Sequence, residues 1–233
     1  MKIKHIEKFT LIDYPGKIAC TIFLFGCNFR CGFCHNPELV LKEETKDISE
    51  KEILDFLKER KEKLEGVCFT GGEPLMTLEI AFLEKIKSLG DNIKIDTNGG
   101  FPGKLEKMIE RGLVDYVAMD VKGPKEKYNE ITGVNVNIKN VEKSIKTISK
   151  LPKYEFRTTI LKKYHNKKNI KEMFEWLNSL VGGEIRGFSF QGFKNNGKFI
   201  DRENFKEEPN VPERYLNELK PIAEEYCEKV NIK

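Results

Sequence analysis

Cysteines at 27, 31 and 34 form a C-x3-C-x2-C array within "GCNFRCGFCHNP", directly after the apolar run "IACTIFLF". Clustered thiolates suit zinc or an iron–sulfur centre, and either usually takes four protein ligands. Three leaves two readings. In one, His35 or another residue completes a structural zinc site. Adjacent side chains diverge, so Cys34 and His35 are poorly placed to share one ion, and no further cysteine pair supplies a second half-site. In the other, three thiolates hold a four-iron cluster and one iron stays open, as the open position of a catalytic metal admits substrate.

Three further segments carry residue types that could bind a ligand: "TGGEP" (Thr70–Pro74), "DTNGG" (Asp96–Gly100) and "DVKG" (Asp120–Gly123). Gly71 and Gly72 would let backbone approach a ligand closely, and Glu73 could accept hydrogen bonds from an ammonium group. The same residues also make an ordinary strand-to-helix turn. "TNGG" alone is turn chemistry, and Asp120 with Lys122 could be a structural ion pair. His165, in the basic stretch "KKYHNKK", is expected on the solvated surface, and His5 is incidental. Cys20, Cys68 and Cys227 are scattered through apolar or helical settings and read as inert buried thiols.

The elements that must position these residues follow from periodicity. Strand patterns begin at Lys17, Gly66, Asn92, Asp115, Lys153 and Glu184, and amphipathic helical patterns separate them. Ser49 followed by Glu52 is a capping-box signature for the first long helix; the last helix is expected near Pro212–Lys229. Alternation of strand and helix argues for parallel β/α units. The later strands each have one apolar face and one polar face: Ile93 and Ile95 against Lys94, Asp96 and Asn98, or Phe156 and Ile160 against Glu155, Arg157 and Thr159. A doubly wound sheet is apolar on both faces. The polar face suggests instead an open six-unit barrel around a ligand cavity, and its polar residues need partners. The expected fold is therefore α/β, an open partial (β/α)6 barrel with a short N-terminal extension and a C-terminal helix, residues 1–233 forming a single domain. In such folds the active site lies at the C-terminal ends of the strands, where the cysteine loop, Glu73, Asp96, Asp120 and Gln191 all fall.

Composition sets outer bounds. With 41 basic and 37 acidic residues the net charge is +4, which gives no concentrated basic face for nucleic acid. No apolar run approaches the roughly 18 residues of a membrane span, and the N-terminus lacks a signal-peptide core. A soluble, cytoplasmic protein without membrane or nucleic-acid partners is expected.

Taken in order, "CNFRCGFC", "GGEP", "DTNGG" and "DVK" resemble the radical S-adenosylmethionine (radical SAM) enzymes over most of the chain. More narrowly, "KFTLIDYPGKIACTIFLFGCNFRCGFCHNPELV" is similar to the activating proteins of anaerobic ribonucleotide reductase, which resemble the pyruvate formate-lyase activases. The resemblance implies that Cys27, Cys31 and Cys34 bind three irons of a [4Fe–4S] cluster. The amino and carboxylate groups of S-adenosylmethionine chelate the fourth. It implies that Phe33 lies near the adenine, that Gly71, Gly72 and Glu73 hold the methionine amino end, and that Asp96 and Lys122 bind the amino-acid portion. Arg157 and Gln191 are further cofactor contacts, Gln191 standing where the lyase activases have a histidine. Asp96, Thr97 and Asp120 correspond to a monovalent cation site, beside which Ala118 replaces a methionine. Asp13, in "DYPG", matches a related "DGPG" segment and is an expected contact for a substrate loop. The implied partners are a glycyl-radical enzyme and a ferredoxin or flavodoxin donor. A radical enzyme acting on a small molecule and a zinc-bound interaction module are the competing readings.

Overall fold

The computed structural model describes residues 1–41 and 46–233. All the expected strands are present: β2 (Ala19–Leu24), β3 (Gly66–Gly71), β4 (Asn92–Thr97), β5 (Tyr116–Asp120), β6 (Tyr154–Ile160) and β7 (Phe188–Gly192). Two more flank them, β1 (Ile3–Thr10) and β8 (Val230–Ile232). The sheet order follows the chain from β1 to β8 and the sheet is not closed. Only β1 is antiparallel to its neighbour among the pairings described by residue register; β2, β3 and β4 run parallel, as do β6, β7 and β8. The fold is thus α/β and mostly parallel, as the alternation of patterns implies.

The extra strands have readable causes. β1 is an edge strand with four of its eight residues exposed, so "IKHIEKFT" carries no clean alternation. β8 is three residues long and follows a helix, α9 (Glu213–Glu224), that ends earlier than its amphipathic pattern suggested. The remaining helices are α1 (Glu38–Leu41), α2 (Glu50–Glu59), α3 (Ile80–Leu89), α4 (Pro102–Glu110), α5 (Tyr128–Thr132), α6 (Ile138–Ile148), α7 (Lys167–Val181) and α8 (Arg202–Phe205). The capping box at α2 forms as read: the Ser49 hydroxyl accepts from the Glu52 N–H at 3.2 Å, and the Ser49 N–H donates to the Glu52 carboxylate at 2.8 Å. None of the described helices is long and apolar enough to cross a membrane.

The chain groups into two compact units. The first holds residues 1–28, 36–97 and 103–117; the second holds 29–35, 98–102 and 118–233. In the first, Ile22, Val67, Phe69 and Ile95 are fully buried together with Phe82 and Ile86 of α3. In the second, Phe174 of α7 packs on Phe188 with ring centroids 4.7 Å apart. β5 contributes to both: the Asp115 N–H just before it donates to Ile93 O at 2.9 Å in the first unit, and the Val121 N–H just after it donates to Arg157 O at 2.9 Å in the second.

The polar strand faces find partners within the protein. Lys94 pairs with Asp96 two residues on, so both lie on one face of β4. Ser189 donates to Glu155 at 2.8 Å, and Lys233 reaches the same carboxylate at 2.8 Å. Burying these groups is tolerable only because each is paired.

Candidate active site

In the first unit, strand pairing brings the end of β3 against the start of the cysteine loop. Leu24 lies opposite Gly71 in the parallel register of β2 and β3. Past that point the Gly72 N–H donates to Leu24 O at 3.0 Å and the Glu73 N–H to Gly26 O at 2.7 Å, while the Gly26 N–H reaches Leu39 O at 2.8 Å. Both backbone groups of the residue before Cys27 are therefore fixed. This clasp explains the two glycines. A Cβ on Gly71, whose φ is 121°, would lie 2.3 Å from Leu24 O, and one on Gly72 would lie 2.1 Å from Gly26 O. The freedom that the sequence suggested for a ligand serves here to bring two protein backbones together.

Glu73 is fully buried. Its Oε1 accepts from the Leu75 N–H at 3.1 Å and from the Thr97 hydroxyl at 2.8 Å, which ties "GGEP" to "DTNGG". Asp96 pairs with the buried Lys94 ammonium, and the Cys68 thiol stands 3.7 Å from the same carboxylate oxygen. Cys68, read from sequence as an inert thiol, is thus a donor to Asp96. Asp13 accepts from the Thr21 hydroxyl at 2.6 Å, which anchors the β1–β2 connection to β2.

In the second unit, the loop carrying Cys31 and Cys34 is held from both sides. The Arg30 N–H donates to Thr132 O at 2.8 Å, the Asp201 N–H to Gly32 O at 3.0 Å, and the Cys34 N–H to Cys31 O at 3.0 Å. The Phe33 ring is buried, with its centroid 6.0 Å from that of Phe205 and 6.5 Å from that of Tyr164. His35 stacks on Phe193 with ring centroids 5.4 Å apart. Its buried Nε2 has no hydrogen-bond partner. Burial holds the imidazole below its ordinary value.

Asp120 sits between two cations, accepting from Arg157 Nε at 2.5 Å and from Lys122 Nζ at 2.9 Å. Burial opposes its charge, and Arg157 and Lys122 overcome that cost, holding the carboxyl well below the usual carboxylate range. Lys122 is likewise desolvated, and Asp120 and Cys31 hold its ammonium well above the ordinary value. Burial pushes the Cys31 thiol up to about 11 against the pull of Lys122. A thiolate there needs more positive charge, of the kind a coordinated metal supplies.

His165 is the clear departure from the sequence reading. It is fully buried rather than solvated. Its Nδ1 accepts from the Leu161 N–H at 3.0 Å, which leaves the proton on Nε2 to donate to Lys122 O at 2.9 Å. Burial pushes its pKa down to about 4. The basic stretch around it hid this, because the lysines beside it remain exposed while the imidazole turns inward.

Gln191 lines a cavity of about 440 Å³ together with His35, Thr159, Lys194 and Lys233. Thr159 and Gln191 are register partners at the ends of β6 and β7, where a β/α fold presents its ligand contacts. The sequence reading named Gln191 and not Lys194 or Lys233. Lys194 closely follows β7, whereas Lys233 is brought to it by tertiary pairing, its N–H donating to Phe190 O at 2.9 Å.

Cysteine thiols are the donor type that an iron–sulfur cluster takes. Cys27, Cys31 and Cys34 lie outside any disulfide, and the backbone beside each is fixed by the bonds above.

Comparison with known proteins gives one family. Residues 21–177 match the Radical SAM superfamily. The chain is 32% identical over 243 residues to the "Putative glycyl-radical enzyme activating enzyme MJ1227" of Methanocaldococcus jannaschii, covering 99% of this chain and 95% of that protein. It is 35% identical over 127 residues to the pyruvate formate-lyase-activating enzyme of Clostridium pasteurianum, covering 52% of each. Among solved structures, Streptococcus suis SuiB superposes with a TM-score of 0.64 at 18% identity, over 91% of this chain and 48% of that one, and so shares the fold.

Proposed function

Because the chain belongs to the radical SAM superfamily, an enzyme family whose cofactors are a [4Fe–4S] cluster and S-adenosylmethionine, we propose that it is an activase that installs a glycyl radical on anaerobic ribonucleotide reductase. The observation that carries this reading is the near end-to-end similarity to a relative named as a glycyl-radical enzyme activating enzyme. The N-terminal "KFTLIDYPGK" preceding the cysteine array supports the narrower choice of partner. With both cofactors bound, one electron from a ferredoxin or flavodoxin donor would let them supply the hydrogen-abstracting 5′-deoxyadenosyl radical, with methionine as the other product.

The chain's own residues bind and orient. Cys27, Cys31 and Cys34 would hold the cluster, whose remaining open position would take S-adenosylmethionine. Gly71 and Gly72 fix the clasp that points Glu73, which receives the methionine ammonium, and Asp96 with Lys122 meets the rest of the amino-acid portion. Lys122 and Arg157, oriented by Asp120, receive carboxylate or ribose oxygens, as fixed donors suit anionic groups. Phe33 flanks the adenine, Gln191 contacts the nucleoside, and Asp13 meets the incoming peptide loop. The 233 residues act as one catalytic domain in the cytoplasm, reduced by ferredoxin or flavodoxin.

The test mixes anaerobically reduced protein, S-adenosylmethionine and glycyl-radical enzymes of the same organism, read by electron paramagnetic resonance. A glycine-centred doublet on the reductase is expected. A reducible cluster with no doublet on any candidate partner overturns the activase reading in favour of a small-molecule substrate.

A further inference from the structure

We propose that the buried Lys94 ammonium is a built-in cation for Asp96, taking the place of the monovalent metal ion that the family resemblance assigns to Asp96, Thr97 and Asp120, so that S-adenosylmethionine binding needs no added monovalent ion. This rests on the reading that Asp96 faces the cofactor.

The residues present do not suit a metal ion. Within the first unit Asp96 is already neutralised: Lys94, 1% exposed, places its Nζ on Asp96 Oδ1. Thr97 gives its hydroxyl proton to Glu73 at 2.8 Å. Within the second unit both oxygens of Asp120 are taken, one by Arg157 and one by Lys122. A metal ion on Asp96 would have to share that carboxylate with an ammonium in a setting where water screens little.

Lys94 is placed for this role by the strand. It lies two residues before Asp96, so β4 projects both to the same face. The ammonium sits 3.7 Å from Cys68 Sγ and 5.9 Å above the Tyr116 ring, a soft, partly negative surround that suits a cation. A buried lysine is tolerated only when paired, and removing its carboxylate partner's charge or the lysine itself leaves the other exposed to the full cost of burial. Lys94 is therefore a positioning residue: it fixes the Asp96 carboxylate through an ion pair without a mobile ion.

The experiment measures equilibrium binding of S-adenosylmethionine to the cluster-loaded protein in potassium, sodium and tetramethylammonium chloride at equal ionic strength. Wild-type affinity is expected to vary by less than about twofold across the three salts. A loss of about tenfold in tetramethylammonium, about 1.4 kcal/mol, overturns the proposal. Lys94→Met keeps the apolar stem and removes the charge. It is expected to bind about tenfold more weakly in tetramethylammonium and to regain affinity in potassium or sodium, as a small ion enters beside Asp96. A variant that binds weakly with no response to the ion, or binds as wild type in every salt, also overturns it. If Lys94→Met does not fold, the wild-type salt series alone decides. Binding without glycyl-radical transfer would count against the proposed function and leave this inference standing; ion-dependent wild-type binding would do the reverse.

Discussion

The imidazole of His165 holds the backbone carbonyl of Lys122 at 2.9 Å, across 43 residues of sequence. That bond fixes the peptide group of a residue whose side chain pairs with Asp120 and stands near Cys31. A buried histidine thus sets the geometry of the chain segment that carries Lys122.

The pH dependence of stability follows from this burial. With a folded pKa of about 4 against an ordinary 6.5, His165 binds its proton more readily in the unfolded chain. Its stabilising contribution is complete above about pH 6.5 and is lost as pH falls toward about 4. Between roughly pH 7 and pH 5.5 the wild type should lose about 1 kcal/mol more stability than His165→Gln, measured by denaturant unfolding of the anaerobic protein at both pH values. Parallel pH profiles of the two proteins would contradict the buried neutral imidazole.

Gly72→Ala should be among the most damaging small substitutions. Its Cβ would lie 2.1 Å from Gly26 O, a backbone atom that cannot swing aside. We expect a loss of about 3 kcal/mol or more in thermal unfolding, together with reduced iron content, because the displaced strand end carries the residue before Cys27. Gly103→Ala, where a Cβ meets nothing within 4 Å, is the control.

Removal of a single thiolate should remove cluster and activity together. Wild-type protein purified without oxygen is expected to be brown with about four irons per chain. Cys31→Ala should lose the colour and most of the iron while keeping its fold by circular dichroism. Retention of both iron and cofactor cleavage would refute the ligand assignment.

Arg157→Met tests the Asp120 cluster. It strips one of two cations from Asp120, whose side chain is about a quarter exposed, so solvent softens the cost. A destabilisation of about 1–3 kcal/mol is expected, with weaker S-adenosylmethionine binding by isothermal titration. Arg157→Lys should restore stability in part but not the short Nε contact, since an ammonium lacks the planar fork of the guanidinium.

What the sequence carried was local. The Ser49–Glu52 cap and the alternation of strand and helix patterns are each written in neighbouring residues, and each stands in the structure as read. Partner choice across long separations was not legible. His165 is buried because Leu161 and Lys122 present a donor and an acceptor to it, and Lys94 is buried because Asp96 and Cys68 surround it. Gly71 and Gly72 are needed because β2 and β3 pair to their ends. A polar side chain's burial is decided by who meets it, and only the folded chain brings those partners within hydrogen-bond reach.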